Sequence, residues 1–249
     1  MGNVPVSITI EASSRKESKA YEAMEKAFDE ARRIENEVSE WKPESQTSLL
    51  NQNAGKSLVP IGRDLMQILL LAREVSEITD GAFDITFPSP DKKATYRDVI
   101  VLPAFSLAYL KNRGVKIAVS GIAKGYIVDR ISDVLKKEGF QKFLVNAGDI
   151  YASGRWEVGI RDPKDPNRAI RRLSVKNQAV STSGLYERGA HIIDPKTRRP
   201  VLASIKSVTI VAKSSAMADA LATGAFVLGK DRIKSLSEKL PEIQILIVE

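Results

Sequence analysis

The run Ser120-Gly121-Ile122-Ala123-Lys124-Gly125 puts small residues, two glycines and one lysine at the start of a helix. Backbone N–H groups at a helix N-terminus attract anions, glycines let a phosphate come close, and a lysine adds a mobile charge. The GxxxxGK(S/T) spacing of a P-loop is absent, and the same run also suits a plain helix cap. Asp219 and Thr223, four apart in AMADALATG, share one helical face and could aim two hard oxygens at a Mg²⁺ ion. The alternative is an acid near a helix start and a threonine bonded to its own i−4 carbonyl. His191 suits a general base if its imidazole lies within reach of a hydroxyl, or else a surface position where a strand enters the turn at Asp194-Pro195. Ser181-Thr182-Ser183-Gly184 offers three hydroxyls and a glycine, for a loop that holds phosphate or ribose or for an ordinary turn. Trp41 and Tyr186 are aromatic rings in polar surroundings, suited to stacking on a flat ligand or to the edge of a core.

Composition narrows these options. The 249 residues include no cysteine and one histidine, which excludes a disulfide scaffold, a cysteine nucleophile and any cluster of histidine ligands. A metal held here needs oxygen ligands, which favours Mg²⁺, Mn²⁺ or Ca²⁺ over Zn²⁺. The net charge is +7, yet Arg32-Arg33, Arg171-Arg172 and Lys196 to Arg199 are scattered and lack interleaved aromatics. They read as solvated faces, not a nucleic-acid surface. The composition is that of a soluble globular chain, the first residues do not look like a leader, and no run reaches the length of a membrane span.

The elements that must position these residues follow from periodicity. Residues 4–10 alternate like a strand, and Ala20, Met24, Ala27, Phe28, Ala31, Ile34 and Val38 recur at helical spacing. Ser39 to Lys56 reads as a polar loop. Leu65, Ile68, Leu69, Ala72 and Val75 predict a second helix before the turn at Thr79 to Gly81, and Val99 to Leu102 a short strand. A third helix starts near Gly121 to Lys124 and stops at Gly139. Short strands are expected at Phe143 to Val145, Trp156 to Ile160, Arg171 to Val175, Ala179 to Ser181 and Ser207 to Val211. Helices at Ala216 to Leu228 and Arg232 to Leu240 and a buried strand at Ile243 to Val248 complete the chain. The order lacks a regular βαβ repeat, so the expected class is α+β, a mixed β-sheet core flanked by helices. No repeat or linker marks a second domain.

In this order the segments resemble the ApbE family, the FAD:protein FMN transferases, over nearly the whole chain. Met1-Gly2-Asn3 is similar to the family's opening Met-Gly-Thr, Ser39 to Ser45 with Leu50-Asn51 to its flavin-side loop, and Thr79 to Asp84 to its TDGAFD motif. SGIAKGYIVD (Ser120 to Asp129), LVNAGD (Leu144 to Asp149), STSG-YER (Ser181 to Arg188), HIIDPKT (His191 to Thr197) and ADALAT (Ala218 to Thr223) follow in register. The resemblance implies a T-fold-like architecture in one domain over 1–249, shortened around 88–96. It implies an enzyme that uses Mg²⁺ to transfer FMN from FAD to a Thr or Ser hydroxyl of an acceptor protein carrying a flavinylation motif, releasing AMP. It further implies metal ligation by Asp219, Thr223 and the Gly121 carbonyl, cofactor contacts from Trp41, Lys124, Ser181, Thr182, Ser183 and Gly184, and His191 as the base. A location outside the cytoplasmic membrane of a bacterium is expected on the same ground. The departures are Asn3 for threonine, Ala118 and Leu185 for aspartates, Arg198 for the glycine of PxTGxP, and Gly148-Asp149 for a GGD turn. The shortened loops suggest a second reading, an FAD pyrophosphatase giving FMN and AMP; Ala118, Leu185 and Arg198 suggest a third, an FAD-binding protein without catalysis.

Overall fold

The computed structural model describes residues 4–185, 189, 191–201 and 205–249. Met1-Gly2-Asn3, Tyr186 and Arg188, which carry part of the motif reading, lie outside them. Strand β1 (Ser7–Ile10) leads into helix α1 (Glu17–Val38), which buries Ala20, Ala23, Ala27, Ala31, Ile34 and Val38 along one face. The alanines at helical spacing let its neighbours come close. The polar stretch expected as a loop contains helix α2 (Gln46–Gln52), whose first turn is capped by the Ser45 hydroxyl accepting the Ser48 N–H. It buries only Thr47 and Leu50, too few positions to show a period. Then come β2 (Val59–Pro60), α3 (Arg63–Ile78), β3 (Val99–Leu102) and β4 (Leu107–Leu110), the three strands forming a small antiparallel sheet.

Helix α4 (Ser120–Lys137) precedes β5 (Phe143–Asn146), β6 (Ile150–Asp162) and β7 (Asp165–Gly184). A two-residue pair, β8 (Ile193–Asp194) and β9 (Arg199–Pro200), comes before β10 (Ser207–Ala212), α5 (Ser215–Leu228), α6 (Lys230–Lys239) and β11 (Gln244–Val248). The main sheet runs β1-β5-β6-β7-β10-β11, and every pairing in it is antiparallel. The α+β class stands, but the expected mixed sheet is corrected to an antiparallel one. Strands adjacent in the chain pair as hairpins, and the helical excursions from β1 to β5 and from β10 to β11 return the chain antiparallel to its neighbour. The two runs at Arg171 to Val175 and Ala179 to Ser181 are one strand, β7. The terminal strand is half-buried and not buried, because it forms the sheet's edge.

Phe143, Val145, Val208 and Ile210 join α1, α3, α4 and α5 in the main core. The other face of the sheet carries a smaller cluster. The β6–β7 hairpin changes register between Ala152 and Arg155, beside Gly154 (φ +75°) and Asn177 (φ +53°), and Val158, Ile160, Leu173 and Val175 cluster with Ala152, Val180 and Val211. Among the described residues no helix is long and apolar enough to cross a membrane.

The α4–α5 pair sets the frame of the site. Asp129 on α4 accepts the Ser215 and Ala216 N–H groups and the Ser214 hydroxyl, at 2.7, 2.9 and 2.8 Å, so one carboxylate caps the start of α5. Burial pushes the Asp129 carboxyl up, and these donors oppose it. Gly125, a turn earlier, lies so close to α5 that an added Cβ would come within 2.2 Å of the Ser215 carbonyl oxygen. Gly125→Val is therefore expected to destabilise the fold by about 3 kcal/mol or more through backbone overpacking, seen as a lower denaturation midpoint at unchanged slope.

Candidate active site

A cleft of about 630 Å³ opens where the start of α4, the β5–β6 turn, the end of β7 and α5 meet the loop after α1. Gly121, Lys124, Thr182, Ser183, Gly184, Asp219, Thr223, His191 and Trp41 all line it. Ser181 does not. It is buried behind the wall, and its hydroxyl donates to Asp149 Oδ1 at 2.5 Å.

At the head of the cleft Lys124 Nζ donates to both carboxylate oxygens of Asp219 at 2.9 Å and stands 3.3 Å from Asp149 Oδ2. The Gly125 N–H also donates to Asp219, at 3.2 Å. Thr223, one turn on, meets the Ser183 hydroxyl of β7 at 3.2 Å, so the helix and the sheet present oxygens to the same space. Burial, then the Asp149 carboxylate, push Asp219 up to about 7 against the pull of Lys124. Burial alone would lower Lys124, but Asp149 and Asp219 outweigh it and hold the ammonium above its ordinary range.

The raised value carries a sign. Between 3.8 and about 7 the native state binds a proton at Asp219 that the unfolded chain has released, so this group's contribution to stability falls as pH rises through that window. With divalent cations chelated, the Tm of the native chain relative to Asp219→Asn is expected to decline from pH 4 to pH 7 and then level off. A rising difference over that range would contradict the assignment.

The donor set fits a hard divalent cation. Asp149 Oδ2 is buried and, among the described residues, faces the Lys124 ammonium at 3.3 Å with no well-aligned hydrogen bond, and Asp219 and the Thr223 hydroxyl supply further oxygens. Among the described residues no three acidic or histidine side chains form an all-protein cage. Mg²⁺ is ordinarily held by one or two carboxylates together with substrate phosphates, so none is required. Lys124 now neutralises these carboxylates, and a cation with an anionic ligand could share that role.

His191 is exposed, and its Nδ1 lies 2.9 Å from the Gly189 carbonyl oxygen. A carbonyl only accepts, so Nδ1 carries the hydrogen and Nε2 is the ring's basic atom. Trp41 is 83% exposed at the rim. Beside it Glu40 Oε1 accepts the Ser120 N–H at 3.2 Å, so a carboxylate already occupies the first donor of α4 that was read as a phosphate site. The TDGAFD stretch is a wall. Thr79 Oγ1 donates to the Val75 carbonyl and accepts the Phe83 N–H, while Asp84 accepts from the Thr86 N–H, the Thr86 hydroxyl and the Tyr96 N–H. Gly224 of α5 is pressed against it, since an added Cβ would lie 2.8 Å from the Thr79 methyl. Asn51 of the flavin-side motif is a tie: its amide exchanges two hydrogen bonds with the backbone of Ile117, at 2.8 and 2.9 Å.

Asp149 and Glu40 are the site residues that spacing missed. Asp149 ends the LVNAGD motif after Gly148 at φ +85°, and that tight turn was its sequence signal. Nothing in the sequence tied Glu40 to a residue 80 positions away. Of the departures, the Ala118 N–H donates to the Ile85 carbonyl and Leu185 packs on the core. Arg198 takes φ +59°, a backbone state that favours glycine.

Fold and cleft together define an α+β protein whose site gathers a caged lysine, acidic and hydroxyl oxygens and one imidazole. The ApbE family profile matches residues 1–247, and the chain belongs to the ApbE family. It is 28% identical over 239 residues to the FAD:protein FMN transferase of Klebsiella pneumoniae, covering 83% of this chain and 76% of that one. The protein of that name from Treponema pallidum is 29% identical over 287 residues, with 95% and 79% covered. Among solved structures, the ApbE protein of Thermotoga maritima superimposes with a TM-score of 0.83 at 28% identity, over 96% of this chain and 90% of that one. The flavin transferase ApbE of Vibrio cholerae does so with a TM-score of 0.84 at 24% identity, over 99% and 90%.

Proposed function

We propose that this chain is a transferase that takes FAD as donor and moves its FMN half onto a Thr or Ser hydroxyl of an acceptor protein carrying a flavinylation motif, releasing AMP. The observation that carries the reading is the ammonium of Lys124, held by two buried carboxylates in a cleft that also holds Thr223 and the single histidine. With a divalent cation beside the carboxylates, the ammonium would face a pyrophosphate where charge builds on the leaving phosphate. Asp219, Thr223 and the Gly121 carbonyl are the residues to hold Mg²⁺, with Asp149 beside them, and the ion supplies charge neutralisation at the phosphoryl oxygens.

His191 Nε2 accepts the proton of the acceptor hydroxyl as its oxygen bonds to the FMN phosphorus. The bond from that phosphorus to the bridging oxygen of the pyrophosphate breaks, and AMP leaves with that oxygen. Thr182, Ser183 and Gly184 line the donor's path, and Ser181 acts from behind by orienting Asp149. Trp41 has its ring free to lie on the flavin or adenine. The relatives' printed names support FAD as donor and a protein as acceptor. By the same resemblance the reaction runs outside the cytoplasmic membrane of a bacterium, within one domain.

The test is incubation with FAD, Mg²⁺ and a proven acceptor. A fluorescent acceptor band in a denaturing gel is expected, with one AMP per flavin attached. AMP release that does not depend on acceptor would favour the pyrophosphatase reading, and tight FAD binding with no product would favour a carrier.

A further inference from the structure

The loop from Pro195 to Arg198 joins β8 to β9, and Arg198 closes it in the left-handed region, where glycine or asparagine is the usual choice. Its side chain explains the exception. Nη1 donates to the Thr86 carbonyl and Nη2 to the Ala94 carbonyl, each at 2.6 Å, and both acceptor residues are buried. Two strands of two residues cannot hold their own position, and the Lys196–Asp80 pair that also spans this gap is exposed and 3.7 Å long. Ile192 anchors the near end of the hairpin in the core, and Arg198 ties down the far end.

The two segments it joins both line the cleft. Asp84, Ile85 and Phe87 belong to one; His191, Ile193 and Pro195 belong to the other. The wall is itself rigid, since Ser89 exchanges hydrogen bonds with the Lys116 backbone at 2.9 Å and Asp91 N–H donates to the Gly114 carbonyl at 3.2 Å.

We propose that Arg198 is a positioning residue. Its forked guanidinium locks the hairpin that follows His191 to the Asp84–Tyr96 wall, and so sets where the imidazole stands when the acceptor hydroxyl meets the FAD phosphate. The catalytic half of this statement rests on the function proposed above; the positional half does not. The two carbonyls are met by separate nitrogens of a rigid planar fork, a geometry that one flexible ammonium does not reproduce.

Because the chain has one histidine, the imidazole C–H resonances in an NMR spectrum report on His191 without assignment. Arg198→Gly relieves the backbone and removes the fork; Arg198→Lys keeps the charge and removes the fork. In both variants the His191 resonances are expected to shift and broaden, while kcat for FMN transfer falls about tenfold or more and KM for FAD changes less than threefold. Unchanged resonances and kcat in a folded variant, or full recovery by lysine, would overturn the proposal. If the native chain transfers no FMN, the proposed function fails while the resonances still decide the positional claim. Should the glycine variant not fold, the lysine variant carries both readouts.

Discussion

Asp219→Ala is expected to lower FMN transfer on the order of 10³-fold, the scale for removing a group that stabilises developing charge. Two effects combine. The buried carboxylate is an acceptor for Lys124 and the Gly125 N–H, so its loss unfastens α5 from the start of α4. It is also a principal oxygen donor available to a cation beside Thr223. Breaking a buried pair costs about 3–5 kcal/mol when the partner is stranded. Here Lys124 is 25% exposed and keeps Asp149, so about 2 kcal/mol is the better figure, or roughly 4–8 °C in Tm. Thr223→Ala removes one hydroxyl and is expected to leave Tm nearly unchanged with a smaller loss of rate. Labelling assays across a Mg²⁺ titration, with thermal melts, check both. Wild-type rates for Asp219→Ala would remove this carboxylate from the mechanism.

His191→Ala is expected to lower the transfer rate by about 10²–10⁴, the usual contribution of a general base. FAD affinity should change little, because the imidazole is exposed and its hydrogen bond goes to the nearby Gly189 carbonyl and to none of the Lys124 group. The variant therefore separates proton transfer from binding. Fluorescence titration with FAD and single-turnover labelling measure the two terms, and added imidazole should restore part of the rate. An undiminished rate would show that another group takes the proton. No second histidine can do so.

Much of the fold was legible because its signals are local. The helical stripe of α1 at Ala20, Ala27, Ala31, Ile34 and Val38 and the stop of α5 at Gly229 are periodicity and capping, and α4 begins at Ser120, one residue before the expected Gly121 to Lys124. Helix α2 and strand β4 were missed, since seven and four residues carry too little pattern. Strand polarity was misread as well. Nothing within a strand's own residues says which neighbour it meets, and β1 pairs with β5 across more than a hundred residues.

The site divides along the same line. Spacing alone put Asp219 and Thr223 on one face, composition left oxygen as the metal donor, and a single histidine left one imidazole. These are properties of the chain within a turn of helix or of its inventory, and they need no partner. Tertiary structure alone decided that Lys124 answers to both Asp219 and Asp149, that Glu40 caps the helix once read as a phosphate site, and that Ser181 acts from behind the wall. It also turned Arg198 from an odd residue at a glycine position into a bridge. Each of these joins residues 25 to 112 positions apart, and such pairs exist only after burial has brought the elements together.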